Sequence, residues 1–163
     1  MTETTTKTSR AQDDRPGRGE HRDFVTFMVA DQWFGIPVLA VQDILGPQRI
    51  ARIPLAPPEV AGSLNLRGRI VTAIDIRLRL GFPPRDETRS AWSAVVDRSG
   101  ELYSLLVDQV GEVLSLPTSR LERNLTTIDP LLREVSDGIY RLEDTLLVVL
   151  AVDRLLDLRR AAA

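Results

Sequence analysis

The chain has 163 residues and a formal net charge of -2, with 43% hydrophobic and 27% charged residues. A chain of this length and composition can bury a core of its own, and it has no bulk attraction to nucleic acid or to a membrane surface. Because it contains no cysteine, disulfides, thiolate metal sites and cysteine nucleophiles are excluded, as expected for folding in the reducing cytoplasm.

The first 22 residues are rich in Thr, Arg and Gly, and no large apolar residue follows the initiator Met. Such a segment cannot join a core, so we predict a disordered tail over residues 1–22, with the single histidine, His21, inside it. The tail also lacks the apolar stretch of a signal peptide. The longest apolar run of the chain, residues 146–152, is too short to span a bilayer, so we expect no insertion into a membrane.

From Asp23 onward, apolar residues alternate with period two on either side of Asp31-Gln32, which predicts a β-hairpin. Pro37 lacks an amide hydrogen, so the second strand of this hairpin is predicted to lie at a sheet edge. Residues 39–45 are predicted to form a helical turn, and residues 59–64 a second short helix.

The remaining pattern predicts short strands with small helical inserts. In chain order we first predict a turn at Arg67-Gly68, a strand over 70–74, a helical turn over 76–80 capped by Asp75, and a surface loop over 82–90. Strands over 91–96, 101–107 and 110–116 are predicted next. A hairpin of strands 139–142 and 145–152 and a closing helix over 153–158 complete the prediction. The pattern contains no long crossover helix, so small barrels are favoured over a doubly wound sheet.

Two parts of the chain are loosely similar to each other. Residues 39–45, which follow the first hairpin, recur as residues 107–114 after the second, and residues 75–78 recur as residues 152–156. Two related halves of about 65 to 70 residues are therefore predicted, and each would be only marginally stable alone. We expect the halves to pack through a shared apolar seam.

The sequence offers little catalytic chemistry. With His21 in the predicted tail, no histidine-based triad, proton shuttle or metal site can form in the folded part. The carboxylates of Asp31, Asp97, Glu143 and Asp144 fall at hairpin turns, where they favour backbone hydrogen bonding over catalysis. There is no Walker pattern, phosphate-binding glycine loop or EF-hand loop. A protein without enzymatic activity, cofactor or metal is expected, and a carboxylate enzyme stays open as an alternative.

Charge is distributed unevenly along the chain. Residues 46–90 carry eight Arg and four acidic residues, a net charge of +4, whereas residues 91–163 carry eight Arg and twelve acidic residues, a net charge of -4. The basic stretch has one aromatic residue, Phe82, so a barrel that binds single-stranded nucleic acid has little support. Halves of opposite charge favour asymmetric contacts with proteins.

The segment Asn65-Leu66-Arg67-Gly68-Arg69-Ile70-Val71, continued by residues 73–77, resembles the central signature of CheW, the family of coupling proteins in bacterial chemotaxis. Residues 34–38 and 41–44 are similar to the signature of the family's first half, and residues 106–116 to that of its second half. The order and spacing of these motifs agree with the family over nearly the whole predicted folded region.

The resemblance implies a mainly β domain over residues 23–158, made of two packed, intertwined SH3-like β barrels with short helices, and a C-terminal tail over residues 159–163. It also implies a cytoplasmic adaptor, at receptor arrays under the inner membrane, that links methyl-accepting chemoreceptors to the histidine kinase CheA. In this family one barrel docks on the kinase's regulatory domain, and a groove between the barrels takes the receptor's helical tip. Thr72 and Ser104 stand where the family often has Pro and Gly, so an array with an output other than motility stays open.

Certain residues match family positions implicated in binding the kinase or the receptor. They are Val41, Gln42, Asp43 and Ile44 near the first barrel, Arg67 and Gly68 in the central turn, and Trp92, Val110 and Val113 on the second-barrel side of the receptor groove. Structural alternatives remain for them. The aliphatic residues can be core residues, and Arg67-Gly68 can be a turn in which Gly supplies a positive φ.

Overall fold

The computed structural model describes residues 20–86, 89–126 and 128–158. Within these residues, ten strands and three short α-helices form. The strands are β1 (His21–Val29), β2 (Gln32–Pro37), β3 (Val41–Leu45), β4 (Val60–Leu66), β5 (Arg69–Asp75), β6 (Trp92–Arg98), β7 (Glu101–Val107), β8 (Gln109–Pro117), β9 (Ser136–Arg141) and β10 (Leu146–Leu150). The helices are α1 (Ile76–Arg79), α2 (Pro130–Glu134) and α3 (Val152–Leu155).

The strands form two five-stranded sheets with the same internal arrangement. Sheet 1 has the order β8-β1-β2-β10-β9, and sheet 2 has the order β3-β6-β7-β5-β4. Each strand of sheet 1 has its equivalent in sheet 2 five strands earlier or later in the chain: β1 corresponds to β6, for example, and β8 to β3. The two sheets are therefore related by a pseudo-twofold repeat. Each sheet combines a hairpin from one half of the chain with three strands from the other half. The two halves are therefore interwoven through their strands.

Each sheet is closed by a short bridge between the segment that follows one edge strand and the opposite edge strand. In sheet 2, the amide of Ala51 donates to the carbonyl of Ser63 at 2.8 Å; in sheet 1, the amide of Glu122 donates to the carbonyl of Ile139 at 2.9 Å. A glycine precedes each bridged residue, Gly62 and Gly138, because a Cβ there would overlap the carbonyl oxygen of the bridging residue. The predicted fold of two packed β barrels with short helices is confirmed.

Alternating side chains along each strand divide between two apolar regions. On β10, Val148 and Leu150 join the large cluster between the two sheets, whereas Leu147 and Val149 belong to a smaller cluster with Phe24 in sheet 1. Sheet 2 has its own small cluster, which includes Leu64, Val71, Ala73, Val95, Leu102 and Leu106. The large cluster draws buried residues from both sheets and is the apolar seam predicted between the halves.

The prediction that β2 lies at an edge was wrong. This strand lies between β1 and β10, the second of which runs parallel to it. Pro37 is tolerated because it is the last residue of β2 and lies beyond the part of the strand, Trp33 to Gly35, that pairs with β10. Its missing amide hydrogen therefore interrupts no pairing with β10.

Two predicted helical segments are strands. Residues 41–45 form β3, in which Ile44 lies opposite Ala94 of β6, and only Val38–Ala40 form a 3-10 turn. Residues 60–66 form β4, which pairs with β5. Long-range pairing outweighs the local helical pattern in both segments. The hairpins over β6 and β7 and over β9 and β10, and the cap of α1 by Asp75, are confirmed; α2 was not predicted.

The folded region begins earlier than the sequence pattern suggests. β1 starts at His21, which lies opposite Pro117 of β8, so His21 and Arg22 belong to the first strand and not to a disordered tail. Their pairing extends the β1–β8 ladder beyond the apolar residues that the alternation could detect. Of the rest of the predicted tails, residues 1–19 and 159–163 lie outside the described residues, and the carbonyl of Glu20 accepts a hydrogen bond from the amide of Thr118 at 3.0 Å.

Candidate partner-binding surface

The central motif forms the turn between β4 and β5. Asn65 accepts a hydrogen bond from the amide of Gly68 through Oδ1 at 2.9 Å, which is the local structural role expected for a turn Asn. Arg67 and Gly68 both have positive φ, 51° and 86°, as a two-residue hairpin turn of this hand requires. The turn holds the Arg67 side chain in solvent, where 76% of it is exposed.

Arg67 forms an ion pair with Asp43, with Nη2 3.2 Å from Oδ2. Asp43 lies on β3 and Arg67 follows β4, and these strands are the two opposite edges of sheet 2. The pair therefore spans the closure of the barrel. The other carboxylate oxygen of Asp43 accepts a hydrogen bond from the amide of Ile44 at 2.9 Å. Because Arg67 is so exposed, the pair contributes about 1 kcal/mol or less to stability, and its main effect is to orient the two side chains.

The predicted site residues on β3 have different environments. Val41 and Ile44 are partly buried and pack against the seam, whereas Gln42 is exposed. The register with β6 shifts between Val41 and Asp43, which marks a β-bulge. The partial burial of Val41 and Ile44 agrees in part with the alternative that they are core residues.

β8 repeats this geometry in sheet 1. Val110 lies opposite Phe27 and Val113 opposite Val25 on β1, and the register shifts between these two pairs. Under the pseudo-twofold repeat, Val110 corresponds to Val41 and Val113 to Ile44. The equivalent positions differ in exposure: Ile44 packs on the seam, whereas 59% of Val113 is exposed. Val113 is therefore an aliphatic side chain left uncovered on an edge strand.

Trp92 lies in the other sheet from Val110 and Val113. It begins β6, opposite Val107, and 41% of it is exposed. The structure thus divides the predicted residues between the two barrels: β3, the Arg67-Gly68 turn and Trp92 lie on sheet 2, and Val110 and Val113 on sheet 1.

One polar cluster was not predicted from the sequence. The carboxylate of Asp108 accepts hydrogen bonds from the side chains of Arg77 and Arg85 and from the amide of Ala30. Burial by itself raises the pKa of Asp108, but the hydrogen bonds from Arg77, Ala30 and Arg85 outweigh burial and lower it. The hydrogen bond to Asp108 raises the pKa of Arg77. Asp108 and Arg77 both lie in segments of the internal repeat, which is the signal that could have drawn attention to them.

The described residues contain no group of three or more His, Asp or Glu side chains that could hold a metal ion. Among the helices of the described part, none has the length and apolar character needed to cross a membrane.

Comparison with known proteins identifies the family. The CheW-like domain model matches residues 23–160. The chain belongs to the CheW-like family. A chemotaxis protein CheW of Helicobacter pylori is 27% identical over 139 residues, covering 82% of this chain and 80% of that protein. A chemotaxis protein CheW of Klebsiella aerogenes is 27% identical over 135 residues, covering 83% and 81%.

A solved structure has the same fold. The crystal structure of the scaffolding protein TtCheW from Thermoanaerobacter tengcongensis aligns with a TM-score of 0.71 at 27% identity, covering 80% of this chain and 89% of that one. The resemblance seen in the sequence is confirmed, and the chain is a chemotaxis adaptor or scaffold of the CheW type.

Proposed function

We propose that this chain is a non-enzymatic cytoplasmic adaptor that couples chemoreceptor tips to the regulatory domain of a CheA-type histidine kinase. The main support is that two edge strands, β3 and β8, occupy equivalent places in the two barrels but present different side chains to solvent. A coupling protein needs two unlike surfaces that can be occupied together, and a pseudo-symmetric fold with unlike edges supplies them. No cofactor or metal is needed for this role.

The receptor surface is proposed to include β8 and the start of β6. Val113 supplies an exposed aliphatic anchor, Val110 extends it toward the seam, and Trp92 contributes an aromatic face on the other barrel. An amphipathic helix from a receptor tip would cover such an apolar surface with its own apolar face. Complete burial of an aliphatic side chain contributes about 1.5–3 kcal/mol, so a few such anchors suffice for specific binding.

The kinase surface is proposed to include β3 and the adjoining turn. Gln42 and the Arg67–Asp43 pair provide polar and charged groups around the partly exposed Val41 and Ile44. Charged groups at the rim of an interface chiefly orient the partner and set specificity, and the apolar residues contribute most of the affinity.

Co-sedimentation tests the proposed function directly. The purified chain is mixed with a CheA regulatory domain, with a receptor signalling fragment, and with both together. We expect binding to each partner and a ternary complex, since the main parts of the two proposed surfaces, β8 and β3, are edge strands of different sheets. If the folded chain binds neither partner, or if the partners displace each other completely, the proposed coupling role is wrong.

A further inference from the structure

Asp108 is the single residue between β7 and β8, where the chain passes from sheet 2 to sheet 1. Its carboxylate is mostly buried, with 14% of the side chain exposed. Arg77 donates through Nε to Oδ1 at 3.0 Å and through Nη2 to Oδ2 at 2.9 Å, which is a bidentate arrangement. Arg85 Nε donates to Oδ1 at 2.9 Å, and the amide of Ala30 donates to Oδ2 at 2.8 Å.

These donors come from separate parts of the fold. Arg77 belongs to α1, which follows β5 of sheet 2, and Ala30 lies in the turn between β1 and β2 of sheet 1. Arg85 lies in the segment that joins the two halves of the chain. The amide of Asp108 donates to the carbonyl of Met28 at 3.0 Å. One carboxylate thus connects both sheets at the point where β8 begins.

The charges in this cluster balance. Arg77 and Arg85 face Asp108 and also Asp75, whose Oδ2 lies 3.9 Å from Arg85 Nη1. The neighbouring cavity is also lined by one further acid, Asp31, and one further base, Arg89. A neutral cluster has no excess charge with which to attract an ionic ligand, so its evident role is to join the elements that it contacts.

We propose that Asp108 is a positioning residue for the receptor surface on β8. It is not one of the proposed receptor-contacting side chains, but it anchors the strand two residues before Val110 and five before Val113. As an edge strand, β8 is paired in sheet 1 with β1 alone, so the Asp108 anchor adds to the pairing of Gln109 with Met28 in fixing the orientation of its first residues. The inference rests on the proposed function, because that function assigns the receptor to β8.

The test is the substitution Asp108→Asn, which keeps the shape of the side chain and removes its charge. The control is Asp153→Asn, which removes a carboxylate that also faces an arginine, Arg98 at 3.6 Å, but is 86% exposed. We expect Asp108→Asn to weaken binding of the receptor fragment about tenfold while kinase-domain binding changes by less than about twofold. The control should alter neither.

Hydrogen exchange gives a second readout that needs no partner. In Asp108→Asn, the amides of residues 109–114 should exchange about tenfold faster, while those of β10 in the same sheet keep their protection. If Asp108→Asn proves too unstable, Arg85→Gln removes one donor to Asp108, together with the ion pair to Asp75, and leaves the Arg77–Asp108 pair intact. It should show the same local pattern at smaller amplitude. Arg85 is suitable because its buried Nη2 has no hydrogen-bond partner among the described residues, so its replacement also removes an unfavourable group.

Three outcomes would overturn the inference. The first is unchanged receptor binding with unchanged exchange on β8. The second is an equal loss of both partners with faster exchange in both sheets, which would make Asp108 a purely structural residue. In the third, the unmodified chain binds no receptor fragment, and residues 109–114 exchange at the same rate in the unmodified chain and in Asp108→Asn. The absence of binding contradicts the proposed function. The equal exchange rates contradict the positioning role independently of it.

Discussion

Arg67 and Asp43 lie 3.2 Å apart although they belong to opposite edges of the same sheet, and their ion pair spans the closure of one barrel. The Arg67-Gly68 turn, with φ positive at both residues, directs the Arg67 side chain toward β3. The ion pair places the Arg67-Gly68 turn and β3 on a single surface. Because the pair is exposed, the contribution of Arg67 to stability is small and can be measured separately from its contribution to binding.

Arg67→Ala should weaken binding of the kinase domain while lowering the free energy of unfolding by about 1 kcal/mol or less, since the pair is exposed. Affinity measured by calorimetry and stability measured by urea unfolding test the two parts. Asp43→Ala and the double variant complete a cycle: a coupling energy near zero would mean that Arg67 acts on the partner without Asp43. A loss of cooperative unfolding in Arg67→Ala would contradict a surface role.

Val113→Asp should abolish most receptor binding and leave stability within about 0.5 kcal/mol, because the side chain is already largely exposed. The matched control is Leu55→Asp, which places the same charge at a fully exposed aliphatic residue outside the proposed surfaces. Receptor co-sedimentation compares the two variants. Equal losses of binding would indicate a general effect of negative charge and not an anchor at Val113.

The stability contributed by Asp108 should depend on pH. Its pKa is lower in the folded chain than in the unfolded chain, so the unfolded state binds more protons across that interval and stability rises with pH. The contribution is therefore complete above about pH 4, the ordinary range of an aspartate, and is lost as the pH falls through the folded-state value. In urea unfolding, the difference between wild type and Asp108→Asn should shrink below about pH 4. A difference that stays constant with pH would show that the charge of Asp108 is not responsible.

Ser104→Ala should stabilise the protein by about 1 kcal/mol, because the buried Ser104 hydroxyl has no hydrogen-bond partner in the described part of the chain. Ser136 is an equally buried serine, but its Oγ lies 3.0 Å from the carbonyl of Val149 and accepts from the amide of Gly138 at 3.1 Å. Ser136→Ala should therefore destabilise by about 1–3 kcal/mol. Urea unfolding of both variants gives the signs, and two shifts of the same sign would contradict this explanation.

Gly138→Ala should destabilise the fold far more than Gly68→Ala. At Gly138 a Cβ would lie 2.7 Å from the carbonyl oxygen of Glu122, at the bridge that closes sheet 1, whereas at Gly68 it would meet nothing within 4 Å. Gly68→Ala should cost about 1 kcal/mol for the positive φ alone, and Gly138→Ala about 3 kcal/mol or more because backbone must move. Thermal unfolding compares them; similar costs would mean that the bridge adapts easily.

Local patterns in the sequence identified the hairpins around Asp31, Asp97 and Glu143, because period-two alternation next to turn residues has few other structural solutions. The same reasoning failed for residues 41–45 and 60–66. Short apolar segments fit a helix or a strand equally well, and their pairing with β6 and β5 decided the outcome.

The sequence by itself determined the class of protein: a β-rich chain that carries the motifs of the CheW family in the right order. Only the tertiary structure decided that the halves exchange strands, that Ile44 packs on the seam while its counterpart Val113 stays exposed, and that Asp108 meets Arg77 across 31 positions. Alternation along a strand reports which residues share a face, but it carries no information about which strand lies alongside. Exposure at an edge and ion pairing between distant segments depend on that choice of neighbour.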